Sequence, residues 1–285
     1  MEMCHPLFII GNPRSGTSLF RLMLTNHKDI CVPPECGYIL WWYDKYKDWN
    51  FNQENVKSFI IDLSTSKKIE TWKIDFNDLK KFVITNEPAT YADLCLAVIE
   101  FYAIKNNQRG IFLGDKNNYY INHLAQLSEI FPSAYFLGLI RDGRDVACSY
   151  KAIRELKTSS PYKPKLSDHI ETIAKEWVEN NTQMADLFEK VDKARIFRYE
   201  DVISNPKSTL TDICSFLGVA FDQHMLDYYK DDSTKEPTAT LDWKKKTLQA
   251  PDSDNIGKYS HILTPLEIER FENIAGNLLK ANGYL

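Results

Sequence analysis

The feature that most constrains this chain lies near its start. Four apolar residues, Leu7-Phe8-Ile9-Ile10, run into Gly11-Asn12-Pro13-Arg14-Ser15-Gly16-Thr17-Ser18, and apolar residues at 19, 20, 22, 23 and 24 follow at helical spacing. A short continuous apolar run is the pattern of a strand buried on both faces, and the change to a helical period marks the helix that leaves it. Strand, glycine loop and helix in that order present successive backbone N–H groups at the positive end of a helix, which is an anion site made from main chain. The glycine spacing and terminal Ser are those of a Walker A phosphate loop, but Thr17 stands where that loop carries its Lys. The missing Lys is the group that reaches the β- and γ-phosphates of a nucleoside triphosphate. The loop therefore suits a 5′-phosphate group with no γ-phosphate beyond it, and Arg14 offers a cation from another angle.

Further strands are predicted at 111–113, 134–140 and 194–199, with helical patterns at 119–131, 144–154 and 168–191 between or after them. Strands alternating with helices make an α/β protein with a P-loop-like parallel β-sheet flanked by helices. Residues 37–110 break the alternation. They hold Trp41, Trp42, Tyr43, Tyr46, Trp49 and Phe51, then Lys-rich stretches and a strong helical pattern at 91–104. No glycine-rich linker isolates them, so they read as a helical insertion within one domain spanning 1–285. The aromatic cluster is open to two readings, an apolar or sugar-stacking pocket or ordinary core packing. Residues 157–165 and 231–254, rich in charge, Thr and Pro, read as mobile surface.

A chain of 285 residues with 35 Lys+Arg, 39 Asp+Glu, a net charge of −4 and 44% hydrophobic residues is that of a globular protein, not of a disordered or fibrous one. The longest apolar stretches, 94–99 and 135–140, fall far short of the roughly 18–20 residues that cross a bilayer. The N-terminal segment has no Lys or Arg and makes a poor signal peptide. Six scattered cysteines without a CxxC pair read as reduced thiols of a cytoplasmic protein. The mildly acidic balance, without a basic run, argues against nucleic acid as the partner. Nothing in the sequence sets the oligomeric state.

A second anion site is encoded at 139–149. Arg141 ends a buried strand, Asp142 is placed to cap a helix, and Ser149 lies seven residues after Asp142, about two helical turns on and so on the same face. Arg141 and Ser149 can then converge on one group, and a guanidinium with a hydroxyl makes a receptor for a phosphate dianion. The competing reading is that Arg141 and Arg144 only pair with Asp142 and Asp145 on a solvated face.

Taken together, these residues resemble the sulfotransferases that use 3′-phosphoadenosine 5′-phosphosulfate (PAPS). The string PRSGTS resembles the family's 5′-phosphosulfate loop, and 141–149 its 3′-phosphate motif, an Arg at a strand end with a Ser eight positions later. Gly114-Asp115-Lys116, Phe197-Arg198-Tyr199-Glu200-Asp201 and Ile256-Gly257-Lys258-Tyr259 add similarity. The resemblance implies that Arg14, Ser15, Gly16, Thr17 and Ser18 bind the 5′-phosphosulfate of PAPS, that Arg141 and Ser149 bind its 3′-phosphate, that Tyr199 touches the nucleotide and that Lys258 closes over it. One departure matters. Cytosolic members have a catalytic His two residues after a Lys in the segment resembling 115–119, and here that position is Asn118, whose amide cannot take a proton.

The base must then be another group. Pro33-Pro34-Glu35 follows the first helix and the apolar piece at 30–32, so Glu35 should emerge near the sheet edge that carries the glycine loop, as a carboxylate at the mouth of the site. It resembles the catalytic Glu of tyrosylprotein and several bacterial sulfotransferases; His27 and His123 are the rival bases. Lys116 and Arg14 are expected to stabilise charge on the bridging oxygen as the sulfuryl group leaves. Two further readings stand beside this one, a P-loop kinase of a small molecule and a nucleotide-binding protein without catalysis. The acceptor is expected to carry its hydroxyl on a small molecule, lipid or carbohydrate. The six His show no HExxH or similar metal spacing and no metal is expected. Activity should therefore survive EDTA, measured as release of 3′-phosphoadenosine 5′-phosphate; complete loss restored by Mg²⁺ would favour the kinase reading.

Overall fold

In a computed structural model, which describes residues 4–108, 110–230, 236–239 and 241–285, the apolar run at Leu7 is part of strand β1 (His5–Ile10) and the helix after the loop is α1 (Thr17–Thr25). Strand β2 (Ile30–Cys31) is only two residues long. The insertion follows as α2 (Tyr38–Trp41), α3 (Tyr43–Tyr46), α4 (Gln53–Ser64), α5 (Phe76–Asn86) and α6 (Tyr91–Lys105). The chain then alternates through β3 (Phe112–Lys116), α7 (Leu124–Ile130), β4 (Tyr135–Ile140), α8 (Gly143–Glu155), α9 (Ile170–Phe188) and β5 (Ala194–Arg198). It ends in α10 (Tyr199–Ser204), α11 (Pro206–Leu217), α12 (Tyr259–Ile262) and α13 (Pro265–Ala281).

The strands form one parallel sheet in the order β2-β3-β1-β4-β5. The expected α/β class with a parallel sheet and flanking helices is observed. Strand β1 alternates its side chains between two cores: Phe8 and Ile10 join one with Phe136, Trp177 and Phe271, whereas Leu7 and Ile9 join the other with Leu22, Phe197 and Ile213. Burying each such side chain contributes about 1.5–3 kcal/mol, which is why a strand apolar on both faces from Leu7 to Ile10 lies in the sheet's middle. The chain crosses from one side of β1 to the other between β3 and β4. In an open parallel sheet that reversal opens a crevice at the carboxyl ends of the strands.

Several expectations need correction. The helical pattern at 119–131 is two pieces, a 3-10 turn (Asn118–Asn122) and α7, because the Asn117 side chain accepts from the Tyr119 N–H and His123 leaves the helical conformation at φ −135°. Strand β3 continues past Leu113 through Gly114, Asp115 and Lys116, polar residues that are nonetheless buried. The surface reading of 231–254 also fails in part. Residues 231–235 and 240 lie outside the described residues, but Glu236, Leu241 and Lys244 are buried, and a 3-10 helix spans Asp242–Leu248. Aromatic residues of the insertion pack: Tyr46 stacks edge-on against Phe59, Trp42 donates to Ser66, and Trp49 donates to the Pro88 carbonyl.

Gly114 shows how tightly β1 and β3 are joined. A Cβ there would stand 2.3 Å from the Leu7 carbonyl oxygen, a main-chain atom of the neighbouring strand that cannot move aside. Gly114→Ala should destabilise the fold by about 1–3 kcal/mol, the usual cost of overpacking, read from urea denaturation.

Candidate active site

The loop after β1 turns on two left-handed residues. Gly16 has φ 93° and leads into α1, and Arg14 has φ 69°, a conformation a non-glycine residue holds only when its surroundings impose it. The surroundings are visible. Asn180 of α9 donates to the Asn12 side-chain oxygen at 2.6 Å, and Asn12 donates to the Tyr150 hydroxyl at 3.2 Å and to the Pro13 carbonyl at 2.9 Å. Gly16 is required for space as well, since a Cβ there would lie 2.5 Å from the Tyr199 ring.

Three cations gather around this loop. Arg14 donates from Nε to the Ser149 hydroxyl at 3.0 Å, Arg141 lies with its guanidinium 4.4 Å from the Tyr199 ring centre, and Lys258 lines the same cavity. Burial pushes the Arg14 guanidinium down to about 10, with Arg141 adding repulsion, and burial with Arg141 beside it brings the Lys258 ammonium down to about 8. Arg141 Nη2 holds the Asn255 carbonyl at 2.5 Å, and Asp145 accepts from the Gly257 and Tyr259 N–H groups at 2.8 and 3.0 Å, so the C-terminal segment is tied to α8. Two polar atoms at this place, Ser15 Oγ and Arg141 Nε, are buried with no hydrogen-bond partner among the described residues. Unpaired buried donors among crowded cations are stabilised by an anion with several oxygens.

Next to the loop lies a second cluster. Glu35 is 6% exposed, and its two oxygens are held by three ammonium groups: Lys116 on Oε1, Lys68 on Oε2 at 2.9 Å and Lys244 on Oε2 at 3.3 Å. Burial alone would raise the Glu35 carboxyl, but Lys116, Lys244 and Lys68 hold it well below the usual carboxylate range. Lys116, the last residue of β3, also donates to the Ser18 hydroxyl at 3.2 Å and so touches the start of α1. Burial lowers its own pKa. Behind Lys244 stands Glu236, whose oxygens meet Lys244 at 2.8 Å and Arg21 at 2.5 Å. Asp115 accepts from the Lys116 N–H and from the Tyr120 hydroxyl, and burial pushes it up to about 7.

Arg14, Gly16, Thr17, Ser18, Glu35, Arg141, Ser149, Tyr199 and Lys258 all line one cavity of about 1010 Å³, while Ser15 and Lys116 are buried directly behind its wall. Expectation and structure differ in detail. Glu35 lies in a buried ion network and not at the mouth, and Ser149 is engaged by Arg14 while Arg141 turns to Tyr199. The solvated-face reading fails because Arg141, Asp142, Arg144, Asp145 and Ser149 are all buried. Asn118 lines the cavity and accepts from Thr17 Oγ1 at 3.2 Å. Neither rival His does so: His27 sits past the far end of α1, bonded to the Ala220 carbonyl and the Asp29 N–H, and His123 stacks on Tyr119 beside a separate shallow pocket. Sequence reasoning missed Lys68, Lys244, Glu236 and Arg21. The one signal for Lys68 is in the backbone, a φ of 71° that no residue pattern announces.

The comparisons agree with this geometry. A model of the sulfotransferase family matches residues 6–223. Protein-tyrosine sulfotransferase 1 of Danio rerio is 23% identical over 288 residues, covering 98% of this chain and 72% of the relative. Protein-tyrosine sulfotransferase A of Caenorhabditis elegans is 26% identical over 223 residues, and there the match spans 77% of this chain and 51% of the relative, about half its length. Among solved structures, the sulfotransferase domain from the curacin biosynthetic pathway superposes with a TM-score of 0.63 at 20% identity, covering 96% of this chain and 98% of that one. The sulfotransferase domain of the Synechococcus PCC 7002 olefin synthase gives 0.60 at 22% identity, covering 96% of each. With the fold shared and the family model running through the phosphate loop, Glu35, Lys116 and the whole of 141–149, the chain belongs to the sulfotransferase family.

Proposed function

We propose that this enzyme moves the sulfuryl group of PAPS to the hydroxyl of a small-molecule, lipid or carbohydrate acceptor, with Glu35 as general base. The observation that carries the donor assignment is the gathering of Arg14, Arg141 and Lys258 on one wall of the cavity, with Ser15 Oγ and Arg141 Nε buried and unpaired among the described residues. In this reading the loop amides and Ser15 to Ser18 hold the 5′-phosphosulfate, while Arg141, Ser149 and Lys258 hold the 3′-phosphate. The Tyr199 ring, with the Arg141 guanidinium 4.4 Å from its centre and itself on the cavity lining, touches the nucleotide in this reading.

Sulfuryl transfer, like loose phosphoryl transfer, asks the protein mainly for positioning and charge stabilisation. The bond between sulfur and the bridging oxygen of the 5′-phosphate breaks, a bond from sulfur to the acceptor oxygen forms, and the acceptor proton goes to Glu35. The products are a sulfate ester and 3′-phosphoadenosine 5′-phosphate. Lys116 is suited to couple these events because it already touches both Ser18 and Glu35. When it turns to the charge developing on the leaving oxygen, Glu35 loses its closest cation and gains basicity. A carboxylate held by three lysines is a weak base until then.

A small acceptor is favoured because segments 162–166 and 243–252 wall the cavity that donor and acceptor would share. The names of the curated relatives support a second reading, a protein tyrosine. Labelled-sulfate transfer from PAPS to a small-hydroxyl set and to tyrosine peptides separates the two.

Arg141→Ala should weaken PAPS and 3′-phosphoadenosine 5′-phosphate by about 2–4 kcal/mol, the range for truncating one partner of a buried charge pair, and adenosine 5′-phosphosulfate much less. Calorimetry showing equal weakening of all three would make Arg141 structural. Glu35→Gln should lower turnover by about 10²–10⁴ with donor affinity nearly unchanged, the usual contribution of a placed general base. The defect should grow from phenols to alkyl alcohols, whose protons are harder to remove. Near-normal turnover of Glu35→Gln with an alkyl alcohol, alongside a dead His27→Ala or His123→Ala, assigns the base elsewhere.

A further inference from the structure

The buried carboxylate of Glu236 has no part in the chemistry above, yet it stands one lysine away from the proposed base. Glu236 is 2% exposed, and its Oε1 lies 2.8 Å from Lys244 Nζ, nearer than the 3.3 Å that separates the same ammonium from Glu35 Oε2. Its Oε2 meets Arg21 of α1 at 2.5 Å, and Arg21 donates in addition to the Val32 carbonyl at 2.8 Å. Arg21, Glu236, Lys244 and Glu35 thus form a chain of alternating charges running from α1 through two residues of the C-terminal part of the sequence into the site.

We propose that Glu236 is a positioning residue that acts through Lys244: by taking the larger share of that ammonium, it keeps Glu35 basic enough to receive the acceptor proton. The inference rests on Glu35 being the base. Its physical ground is charge balance. Lys116, Lys68 and Lys244 all bear on Glu35, Arg14 faces it from the loop, and Asp115 opposes it from β3. In a buried setting each uncompensated cation deepens the hold on a carboxylate, and a carboxylate held more deeply accepts a proton less readily. Glu236, facing Lys244, Arg21, Lys116 and Lys68, is the anion that offsets this excess. Without it, the whole charge of Lys244 falls on Glu35.

The test is a double-mutant cycle read by pH–rate profiles at saturating PAPS. Glu236→Gln keeps a carbonyl oxygen for Arg21 but removes the charge. It should lower kcat about three- to tenfold, the response of a Brønsted base made weaker, and move the acid limb to lower pH, with the KM for PAPS unchanged. Lys244→Met should move the acid limb the other way, to higher pH. The double variant Glu236→Gln with Lys244→Met should turn over faster than Glu236→Gln alone, because the cation that the first change released is then gone. A merely structural role predicts that the double variant is no faster than the single one and that the acid limb stays in place, and either result overturns the proposal. If Glu236→Gln fails to fold, the Lys244→Met profile decides alone: an unmoved limb rejects the coupling. Should Glu35→Gln itself keep normal turnover, the base assignment fails first; a dead Glu35→Gln with a normal Glu236→Gln rejects only this inference.

Discussion

The parallel pairing of β1 with β3 on one side and with β4 on the other decides where the charged groups of this protein can go. Leu7 stands opposite Gly114 of β3 and Tyr135 of β4, so the three strands end nearly level. The glycine loop, Lys116 and Arg141 therefore leave the sheet at one edge although they are far apart in the chain. Strand β5, in register with β4 from Ala194 to Arg198, delivers Tyr199 to the same edge. Strands β1, β3 and β4 place their apolar residues in the two cores, and polar residues at or just past their ends, Arg14, Lys116 and Arg141, gather at or behind the cavity wall.

What is assembled there is costly by itself. Taking one ion out of water costs several kcal/mol in a protein interior, and mutual pairing recovers that only where geometry is good and further hydrogen bonds are made. The cluster around Glu35 meets the condition with two carboxylates, Glu35 and Glu236, set among Lys68, Lys116, Lys244 and Arg21. The cluster around the loop does not, since Arg14 and Lys258 make no ion pair among the described residues and Arg141 has only Asp145 at 3.9 Å. The first is a network in which every charge has an opposite partner, although four cations face two carboxylates. The second is an electrostatic surplus that a polyanion removes, and strain at Arg14 is retained beside it.

The segments that complete the site come from outside the regular alternation. Lys68 comes from the turn between α4 and α5, while Glu236, Lys244 and Lys258 follow the last strand and lie beyond the residues that the family model matches. Residues set by strand ends are thus joined to walls contributed by the least regular parts of the chain. Loops on a rigid scaffold vary without disturbing the core, which is how one fold hosts many functions.

By itself the amino-acid order determined the central strands, the loop between β1 and α1, and the placing of Arg141 at a strand end with Ser149 two turns into the helix that follows. All of these are local: an apolar run, a glycine spacing, a capping Asp, a polar residue just past a strand. Only the tertiary structure decided that Glu35 is buried and not at the mouth, that Arg14 engages Ser149, and that the insertion's aromatics pack while its Lys68 serves the site. It alone placed Glu236 and Lys244 behind Glu35, more than two hundred residues away in the chain. The reason is that an ion pair has no period. Hydrophobic burial and helix capping repeat at fixed intervals and can be read along a chain, whereas a Lys written into a polar stretch has the same appearance whether it ends in solvent or on a buried carboxylate, and folding alone chooses between them.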